Sequence, residues 1–319
     1  MPPPLSTRYR TAFVTGASSG LGRAFAEMLL AEGARVWGTS RDTARLASLA
    51  AHPAFTPVAL DLADGTAAET AYARAAAQAA AGDSGAAPGF DLVINNAGFG
   101  RFSPFAGTRD FAVWQTQLDA MLTHTARLAH AALRGMMARG RGCLVNVSSL
   151  AAEFPLPFMA GYNIAKAGLS ALSESLIFET RGTPVVVMDF RPGDYRTAFN
   201  EVIQAEAAAR QATPSSSPPN PPMPDNTNIA ATHGPEPGAP PLRVPHPRLS
   251  RAWDALEKNL RASPPPERAA RDLRRALLRG RPGIVRSGSF FQARLAPLAT
   301  RMMPARLRRA VLARYFGAA

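Results

Sequence analysis

Tyr162 and Lys166 have the residue types and the spacing of an acid–base pair. They are four positions apart, so in a helix their side chains lie on the same face. A lysine ammonium beside a phenol favours the phenolate and lowers the tyrosine pKa from its usual value of about 10. Tyr162 is therefore a candidate general acid or base near neutral pH. Because Lys166 and Lys258 are the only lysines of the chain, abundant lysine does not explain the pair. The alternative is an exposed polar pair on a solvated helix.

A second candidate site is the glycine-rich stretch of residues 15–22, which lies between a predicted strand and a predicted helix. Gly16, Gly20 and Gly22 permit a tight turn whose backbone can approach a ligand closely. The N–H groups that begin the following helix can then bind a pyrophosphate. The stretch therefore predicts a dinucleotide-binding turn.

Short apolar runs alternate with helical patterns over the first 200 residues. They predict strands at 12–15, 35–39, 55–60, 91–94, 144–147 and 185–190, and helices at 21–31, 65–81, 110–138 and 161–180. Pro57 interrupts the third run and makes it the weakest strand. This alternation indicates an α/β protein with a Rossmann-like, doubly wound parallel sheet that is covered by helices on both faces. Ligands of such sheets bind at the carboxyl ends of the strands.

The predicted organisation has three parts: a core at 8–200, a substrate-side segment at 201–260 and a completing segment at 261–319. Residues 213–250 include 12 prolines and few aliphatic residues, a composition that favours disorder and predicts an insert dispensable for folding. Helices follow at 251–261 and 266–278, then a short strand at 283–285. Residues 302–316 predict a basic amphipathic helix, which either packs on the protein's own domain or a partner subunit, or contacts an anionic membrane surface.

Composition limits the function classes. A hydrophobic content of 46% supports a sizeable core, and one cysteine, Cys143, excludes a disulfide framework and a Cys-rich metal site. Cys143 lies in an apolar run and is interpreted as a small core residue. We find neither a signal-peptide core nor a membrane-length apolar run, so the expectation is a cytoplasmic protein. Residues 1–200 hold 17 basic and 15 acidic residues, and residues 201–319 hold 19 and 8. This uneven charge favours a local surface property over nucleic-acid binding.

Five motifs in order resemble the short-chain dehydrogenase/reductase family. They are the glycine turn of residues 15–22, Asn-Asn-Ala-Gly at 95–98, Ser149, the Tyr162/Lys166 pair thirteen residues later, and the Pro-Gly loop of residues 192–197. The resemblance covers residues 8–200 and resumes near 266–290. It implies an oxidoreductase that transfers a hydride between a nicotinamide cofactor and a carbonyl or alcohol group.

The resemblance also implies roles for single residues. Tyr162 would exchange a proton with the substrate oxygen, and Lys166 would lower its pKa and hold the nicotinamide ribose. Ser149 would hydrogen-bond the substrate oxygen, with Ser148 the lesser candidate. The remaining cofactor-binding positions would be Gly16, Ser18, Ser19, Gly20, Leu21 and Gly22 at the pyrophosphate, Asp61 and Leu62 near the adenine, Asn95, Ala97 and Gly98 on the adenosine-ribose side, and Pro192, Gly193 and Thr197 at the nicotinamide. For residues 95–98 the alternative is a simple turn that ends a strand.

The end of the second predicted strand bears on the choice of cofactor. An acidic residue there would bind a ribose 2′-hydroxyl, whereas an arginine accommodates a 2′-phosphate. Arg41 occupies this place and Ser18 can also reach such a phosphate, so NADP(H) is predicted over NAD. Asp42 is one position late and is interpreted as a helix start. The alternative is that Arg41 is an incidental solvated charge.

One position departs from the family pattern. Met121 stands where the family usually has an asparagine that holds a water in a proton relay to the catalytic lysine, and a thioether cannot donate a hydrogen bond. The relay would then use backbone and water, or Thr123 or His124, or turnover would be slow. His124 is more often a packing or surface residue. The departure keeps open a cofactor-binding sensor or interaction protein on the same fold.

Apolar residues flank the motif positions on the substrate side. They are Phe99, Phe102, Phe105, Phe154, Pro155, Leu156, Phe158 and Met159. They predict a hydrophobic carbonyl or alcohol substrate that is lipid-, steroid- or retinoid-like, to which residues 199–211 and 252–260 would contribute. Alternatively, they pack the core or a dimer interface. A homodimer or homotetramer is expected.

Overall fold

The computed structural model describes residues 4–81, 87–107, 110–197 and 248–317. Within these residues, seven parallel strands form one sheet in the order β3-β2-β1-β4-β5-β6-β7. The strands are β1 Thr11–Val14, β2 Arg35–Ser40, β3 Phe55–Ala59, β4 Leu92–Asn95, β5 Gly142–Val147, β6 Val185–Pro192 and β7 Gly283–Ser287. The chain leaves β1 on one side for β2 and β3, then returns to place β4 on the other side. This reversal opens a crevice at the carboxyl ends of β1 and β4.

Helices connect and cover the strands. They are α1 Gly20–Ala31, α2 Ala47–Ala50, α3 Gly65–Ala80, α4 Ala112–Leu118, α5 His124–Arg139, α6 Ala160–Glu179, α7 Leu249–Arg261, α8 Pro266–Arg279, α9 Ala296–Met302 and α10 Ala305–Tyr315. Short 3-10 turns lie at Leu5–Thr7, Thr43–Leu46, Phe105–Gly107 and Leu150–Ala152, and π-helical turns at Asp119–Thr123 and Phe291–Leu295. None of the helices in the described residues is both long and apolar enough to span a membrane.

The sheet has an apolar layer on each face. Helices α1 and α8 cover one face, where Phe25 and Leu273 are fully buried. Helices α3, α5 and α6 cover the other, where the ring of Phe13 lies 5.1 Å from Tyr72 and 5.2 Å from Phe90. Burying each such side chain stabilises the fold by about 1.5–3 kcal/mol. The two layers hold the strand ends, and thus the loops that follow them, in fixed positions.

The sheet confirms the predicted α/β fold and its strand order along the chain. Strand β3 is an edge strand. A proline such as Pro57 is tolerated there, because one side of an edge strand has no neighbouring strand that needs its N–H groups. The predicted helix at 110–138 is present but contains the π-helical turn Asp119–Thr123. The division into three parts stays a prediction, although the strands from residues 11–287 share one sheet.

Two predictions about the last third need correction. The helix expected at 302–316 is present as α10, Ala305–Tyr315, but its predicted start was too early, because Met303 and Pro304 adopt extended backbone angles that separate α9 from α10. Proline restricts the residue before it to such angles. Most of the Pro-rich segment predicted at 213–250, with residues 199–211, lies outside the described residues. Its predicted end was too late, since helix α7 begins at Leu249.

Candidate active site

A cleft of about 930 Å³ opens at the carboxyl ends of the strands. Loops after β1 to β6 form its floor, and residues of α7 and of the C-terminal segment 291–316 form one wall. We refer to the part lined by the loops after β1, β2 and β3 as the nucleotide half. The part lined by residues 149–162, by Asp194, by α7 and by residues 291–316 is the substrate half.

The glycine turn has the backbone shape that its residues predict. Gly16 and Gly20 have φ angles of 70° and 55°, which residues with side chains rarely adopt. A Cβ at Gly22 would lie 2.2 Å from the Gly16 carbonyl oxygen and 2.4 Å from Asn96 Nδ2, so only glycine fits this close approach. Ser19, which precedes α1, makes no side-chain cap to the helix. The first N–H groups of α1 are thus available to an anion, and the turn fits a dinucleotide pyrophosphate.

Most of the predicted cofactor-binding residues line the cleft, but two do not. Those that line it are Gly16, Ser18, Ser19, Gly20, Leu21, Arg41, Asp61, Leu62, Ala97, Gly98, Pro192, Gly193 and Thr197. Gly22 lies behind the turn that it permits. Asn95 is buried, and its Nδ2 donates to Asn146 Oδ1 at 3.0 Å. The expectation that Asn95 faces the cofactor is therefore wrong: strand residues alternate between faces, and Asn96 lines the cleft in its place.

Two arginines lie at the outer end of the nucleotide half. Arg41 is exposed after β2 and lines the cleft, as does Arg45, which the sequence analysis missed. Arg45 lies four residues beyond Arg41 in the Thr43–Leu46 turn. Asp42 accepts a 2.9 Å hydrogen bond from Ala44 N, so it begins this turn as predicted. The segment after β2 thus offers two guanidinium groups, and its acidic residue, Asp42, already accepts a hydrogen bond from the backbone.

Ser149, Tyr162 and Lys166 meet where the two halves join. The Tyr162 hydroxyl is hydrogen-bonded to Ser149, whose Oγ donates to the Pro192 carbonyl oxygen at 3.5 Å and accepts from Ala151 N at 3.0 Å. Lys166 is 5% exposed, and its Nζ donates to the Val147 carbonyl oxygen at 2.7 Å. The ammonium lies 5.8 Å from the centre of the Tyr162 ring. Helix α6 thus places the phenol and the ammonium on one face, next to the end of β5.

Burial dominates the titration of this cluster. It raises the pKa of Tyr162 to about 12; the hydrogen bond between Tyr162 and Ser149 opposes this rise, and the charge of Asp194 adds to it. Burial also lowers the pKa of Lys166 to about 8, against the opposing charge of Asp189. The expected lowering of the Tyr162 pKa by lysine is therefore wrong for the protein by itself. Desolvation disfavours both charged forms and outweighs their attraction.

Ser148 faces a buried polar network under the cluster. Its hydroxyl donates to Asp189, which is fully buried and also accepts from Ser170 Oγ at 2.8 Å. Arg191 Nε donates to the same carboxylate at 2.7 Å. The Ser148 hydroxyl is thus engaged by a carboxylate. Of the two serines, Ser149 is the one whose hydroxyl contacts Tyr162.

Met121 occupies the relay position in the π-helical turn between α4 and α5. Its Sδ accepts from Phe99 N at 3.4 Å, and a Cβ added at Gly98 would lie 3.1 Å from Met121 Cε and 3.6 Å from Lys166 Nζ. His124 Nδ1 is 2.7 Å from the Leu62 carbonyl oxygen, so its place is on the nucleotide half. Thr123 is exposed. Met121 is thus the residue of this turn that packs beside the cluster.

The apolar residues predicted for the substrate side divide into two groups. Phe99, Phe154, Leu156 and Met159 line the cleft. The ring centre of Phe102 lies 5.6 Å from that of Phe158 and 5.1 Å from that of Trp253. Pro155 is exposed, and Phe105 stacks on Trp114.

The rest of the substrate half comes from segments without a motif. Helix α7 contributes Leu256 and Leu260, in agreement with the expectation for residues 252–260. The sequence analysis missed the contribution of the C-terminal segment, which supplies Phe291, Gln292, Leu295, Ala296, Ala299, Met303, Val311, Leu312, Tyr315 and Phe316. Its only signal was the apolar stripe of the basic helix.

The family model for short chain dehydrogenases matches residues 10–208. The chain belongs to the short-chain dehydrogenase family. It is 38% identical to D-erythrulose reductase of Gallus gallus over 181 residues, which cover 56% of this chain and 68% of that protein. The protein is accordingly an oxidoreductase of the family that acts on alcohol or carbonyl groups, and the family binds a nicotinamide cofactor.

Solved structures extend the likeness beyond the matched region. A short-chain dehydrogenase from Streptomyces avermitilis superimposes with a TM-score of 0.67 at 26% identity, covering 96% of this chain and 95% of that one. A serine dehydrogenase solved with NADP+ has a TM-score of 0.55 at 26% identity, covering 63% of this chain and 79% of that one. Another neighbour, at 20% identity, was solved with NADH. Chains of this fold thus bind either cofactor.

Proposed function

We propose that this short-chain dehydrogenase is an NADP(H)-dependent enzyme that interconverts an apolar ketone or aldehyde and the corresponding alcohol. The observation that carries the proposal is the cluster of Ser149, Tyr162 and Lys166. It lies between a glycine turn suited to a pyrophosphate and a half-cleft lined by apolar side chains. A proton donor at this junction can reach a substrate in one half while the other half holds the cofactor.

The chemistry of the cluster follows from its hydrogen bonds. When bound, the nicotinamide supplies or accepts the hydride. Tyr162 donates its phenol proton to the substrate oxygen during reduction and takes it back during oxidation. Ser149, already hydrogen-bonded to this phenol, donates to the same oxygen. A Tyr162 pKa raised to about 12 keeps the phenol protonated at neutral pH, which suits the reductive direction.

Lys166 has two tasks in this proposal. Its charge stabilises the phenolate left after proton transfer, and its remaining N–H groups hold the nicotinamide ribose. One N–H donates to the Val147 carbonyl oxygen, which fixes the direction of the ammonium. Met121, the described residue that packs beside Lys166 at the relay position, offers only an acceptor sulfur. We therefore infer that protons reach Lys166 through backbone groups and water.

The cofactor-binding residues are proposed from their places in the cleft. Gly16, Gly20 and Gly22 shape the pyrophosphate turn, and the N–H groups of Ser18, Ser19 and Leu21 contact the phosphates. Asp61 and Leu62 lie at the adenine, Ala97 and Gly98 under the adenosine ribose, and Pro192, Gly193 and Thr197 at the nicotinamide. Thr197 is close to the glycine turn, since a Cβ at Gly20 would lie 3.2 Å from its Cβ.

The preference for NADP(H) rests on the two arginines after β2. A guanidinium group binds phosphate by charge-assisted hydrogen bonds. Arg41 and Arg45 both line the cleft, and the hydrogen bond from Ala44 N to Asp42 occupies one oxygen of the nearby carboxylate. This arrangement favours a 2′-phosphate over a bare ribose.

The buried methionine favours a second candidate function. Met121 is 1% exposed and packs where the family's relay asparagine usually stands. Without that relay, slow turnover would suit a cofactor-binding sensor or interaction protein on the same fold.

We also expect two or four copies to associate, because Ile164 and Phe178 expose apolar side chains on α6. Light scattering measures the copy number.

Turnover distinguishes the enzyme from the sensor. The purified full-length protein is incubated with NADPH, or with NADH, and a panel of apolar ketones and aldehydes, and loss of the reduced cofactor is followed by absorbance. We expect carbonyl-dependent oxidation of NADPH that is faster than that of NADH. Tight binding of NADPH without turnover of any carbonyl would favour the sensor, and a preference for NADH would reject the role of Arg41.

A further inference from the structure

Asp194 brings a carboxylate into the substrate half of the cleft. It follows Gly193 in the loop after β6, is partly exposed and lines the cleft. The walls around it are apolar and include Phe154, Leu256, Leu260, Leu295, Val311 and Phe316. Among the described residues that line this half and its junction with the nucleotide half, Lys166 and Asp194 alone carry charge. Lys166 already has a role beside Tyr162, whereas Asp194 has none in the chemistry proposed above.

The loop that carries Asp194 is held on both sides. Gly193 N donates to the Ser287 carbonyl oxygen at 2.7 Å. The Tyr195 hydroxyl, which is buried, shares a 2.5 Å hydrogen bond with Ser287 Oγ, and Ser287 Oγ lies 2.8 Å from Asp272 Oδ2. These contacts join the loop to the end of β7 and to α8. The position of the Asp194 carboxylate is therefore set by the sheet.

Only one oxygen of this carboxylate has a partner in the described residues. Gln292 Nε2 donates to Asp194 Oδ2 at 2.6 Å, and Gln292 is in turn hydrogen-bonded to Tyr315 of α10. No described residue donates to Oδ1. Asp194, Gln292 and Tyr315 thus form a polar group inside an apolar wall, and among the described residues one oxygen of the carboxylate has no donor.

Asp194 also lies close to the reacting position. Its negative charge contributes to the raised pKa of Tyr162, after the larger effect of burial. Burial raises the pKa of Asp194 itself, and the hydrogen bond from Gln292 opposes this rise. The carboxylate therefore has less solvation than in water, and a ligand that donates to it replaces what burial removed.

We propose that Asp194 selects the substrate by accepting a hydrogen bond from a hydroxyl or ammonium group close to the reacting carbon. The same carboxylate repels a substrate that has a carboxylate at that place. The substrate class is then an apolar ketone or alcohol with a neighbouring donor group: an α-hydroxy ketone, a vicinal diol or an amino alcohol. This inference rests on the proposed function and names the substrate class of that site.

A binding experiment tests the charge preference without any turnover. Hexylamine and hexanoate, which match in length and differ in charge, are titrated into the full-length protein saturated with NADP+. We expect hexylamine to bind at least about tenfold more tightly, as a charge-assisted hydrogen bond predicts. Asp194→Asn should remove this preference, and Glu257→Gln, which removes a carboxylate outside the cleft, should keep it. Equal binding of both ligands to the wild type, failure of hexylamine to bind, or an unchanged preference in Asp194→Asn overturns the proposal.

A turnover experiment separates this proposal from the proposed function. α-Hydroxyacetophenone, propiophenone and phenylglyoxylate share a benzoyl group and differ in a hydroxyl, a methyl and a carboxylate. We expect kcat/KM to fall in that order, and the gap between the first and the last to narrow about 10–100-fold in Asp194→Asn. Similar kcat/KM for all three substrates in both proteins would reject the role of Asp194 and leave the enzyme function standing. If the wild type reduces no carbonyl at all, the proposed function fails, and the titration still decides whether Asp194 selects ligands.

Discussion

The two halves of the cleft are built in different ways. The nucleotide half uses one continuous turn, residues 15–22, and the ends of adjacent strands, so backbone conformation shapes it. The substrate half assembles side chains from residues 149–162, α7 and residues 291–316, which are far apart in the chain. A pyrophosphate needs backbone N–H groups at fixed positions, which few residue types permit. An apolar wall needs only volume and shape, which many combinations of residues provide.

Tyr162→Phe acts at the junction and should have the largest effect on turnover. We expect turnover to fall about 10²–10⁴-fold, because a positioned acid is removed. Binding in both halves should change little, since only a hydroxyl is lost. Steady-state kinetics and cofactor titration measure the two effects. Tyr72→Phe is the matched control, because burial raises the pKa of this distant tyrosine to about 12 as well. Wild-type turnover in Tyr162→Phe would place the proton donor elsewhere.

Lys166 should make stability depend on pH at the same junction. Burial lowers its pKa from 10.5 to about 8, so between these values the unfolded chain holds a proton that the folded protein lacks. The free energy of unfolding therefore rises with pH across this window. Below about pH 8, the folded protein bears the full destabilisation from burying a charged Lys166.

Denaturant unfolding at several pH values measures this effect of Lys166. Relative to Lys166→Met, the free energy of unfolding of the wild type should increase by on the order of 3 kcal/mol between pH 8 and pH 10.5, since each pKa unit corresponds to about 1.36 kcal/mol. Lys258→Met removes the other lysine, which is exposed, and should leave the dependence unchanged. Parallel curves for the wild type and Lys166→Met would contradict the buried position of the ammonium.

Arg41→Ala should affect only the nucleotide half. Loss of a charge-assisted phosphate contact costs about 1.5–3 kcal/mol, so NADPH should bind about 10–100-fold more weakly while NADH binding changes little. Arg45→Ala tests the second guanidinium, and Arg127→Ala, which removes a surface partner of Glu69, is the control. Equal losses for NADPH and NADH would mean that Arg41 does not read the 2′-phosphate.

Removing residues 304–319 should affect only the substrate half. The deletion takes away Val311, Leu312, Tyr315 and Phe316, which line the cleft. The KM for an apolar ketone should rise about 10–200-fold, because losing apolar contact with the substrate costs about 1–3 kcal/mol. Cofactor affinity should not change. Leu312→Ala gives a smaller change of the same sign. An unchanged KM would mean that α10 does not shape the substrate site.

The same deletion tests the membrane alternative for the C-terminal helix. Leu307 remains 52% exposed beside exposed arginines at 306, 308 and 309, whereas Val311, Leu312, Tyr315 and Phe316, in the second half of the same segment, line the cleft. Contact with its own domain favours packing as the role of this helix. Co-sedimentation with anionic vesicles should then show no binding at low salt. Salt-sensitive binding that disappears with residues 304–319 would establish the membrane role instead.

The smallest effect is expected from the Pro-rich segment. Since α7 begins at Leu249, the replacement is best limited to residues 213–247. A short Gly/Ser linker there should leave the thermal midpoint within a few degrees, because loop closure costs only about 0.6 kcal/mol per doubling of length. Calorimetry measures the midpoint, and loss of cofactor binding would show that the segment contributes to the site.

Features that depend on a few neighbouring residues could be predicted from the sequence. The parallel sheet, the glycine turn and the shared face of Tyr162 and Lys166 follow from strand alternation, from backbone angles that only glycine adopts, and from helical spacing. Ser149 was added by the resemblance to the family. Helix α6 needs no distant partner to place Tyr162 and Lys166 on one face. These requirements are local, so they are visible as motifs.

Only the tertiary structure decided which groups share a space. It turned Asn95 into the interior and Asn96 to the cleft, and it made burial outweigh lysine in the titration of Tyr162. It also brought Asp194 to Gln292, a residue 98 positions away. Desolvation and side-chain packing depend on everything within a few ångströms, whatever its distance along the chain, and no short pattern of residues encodes that neighbourhood.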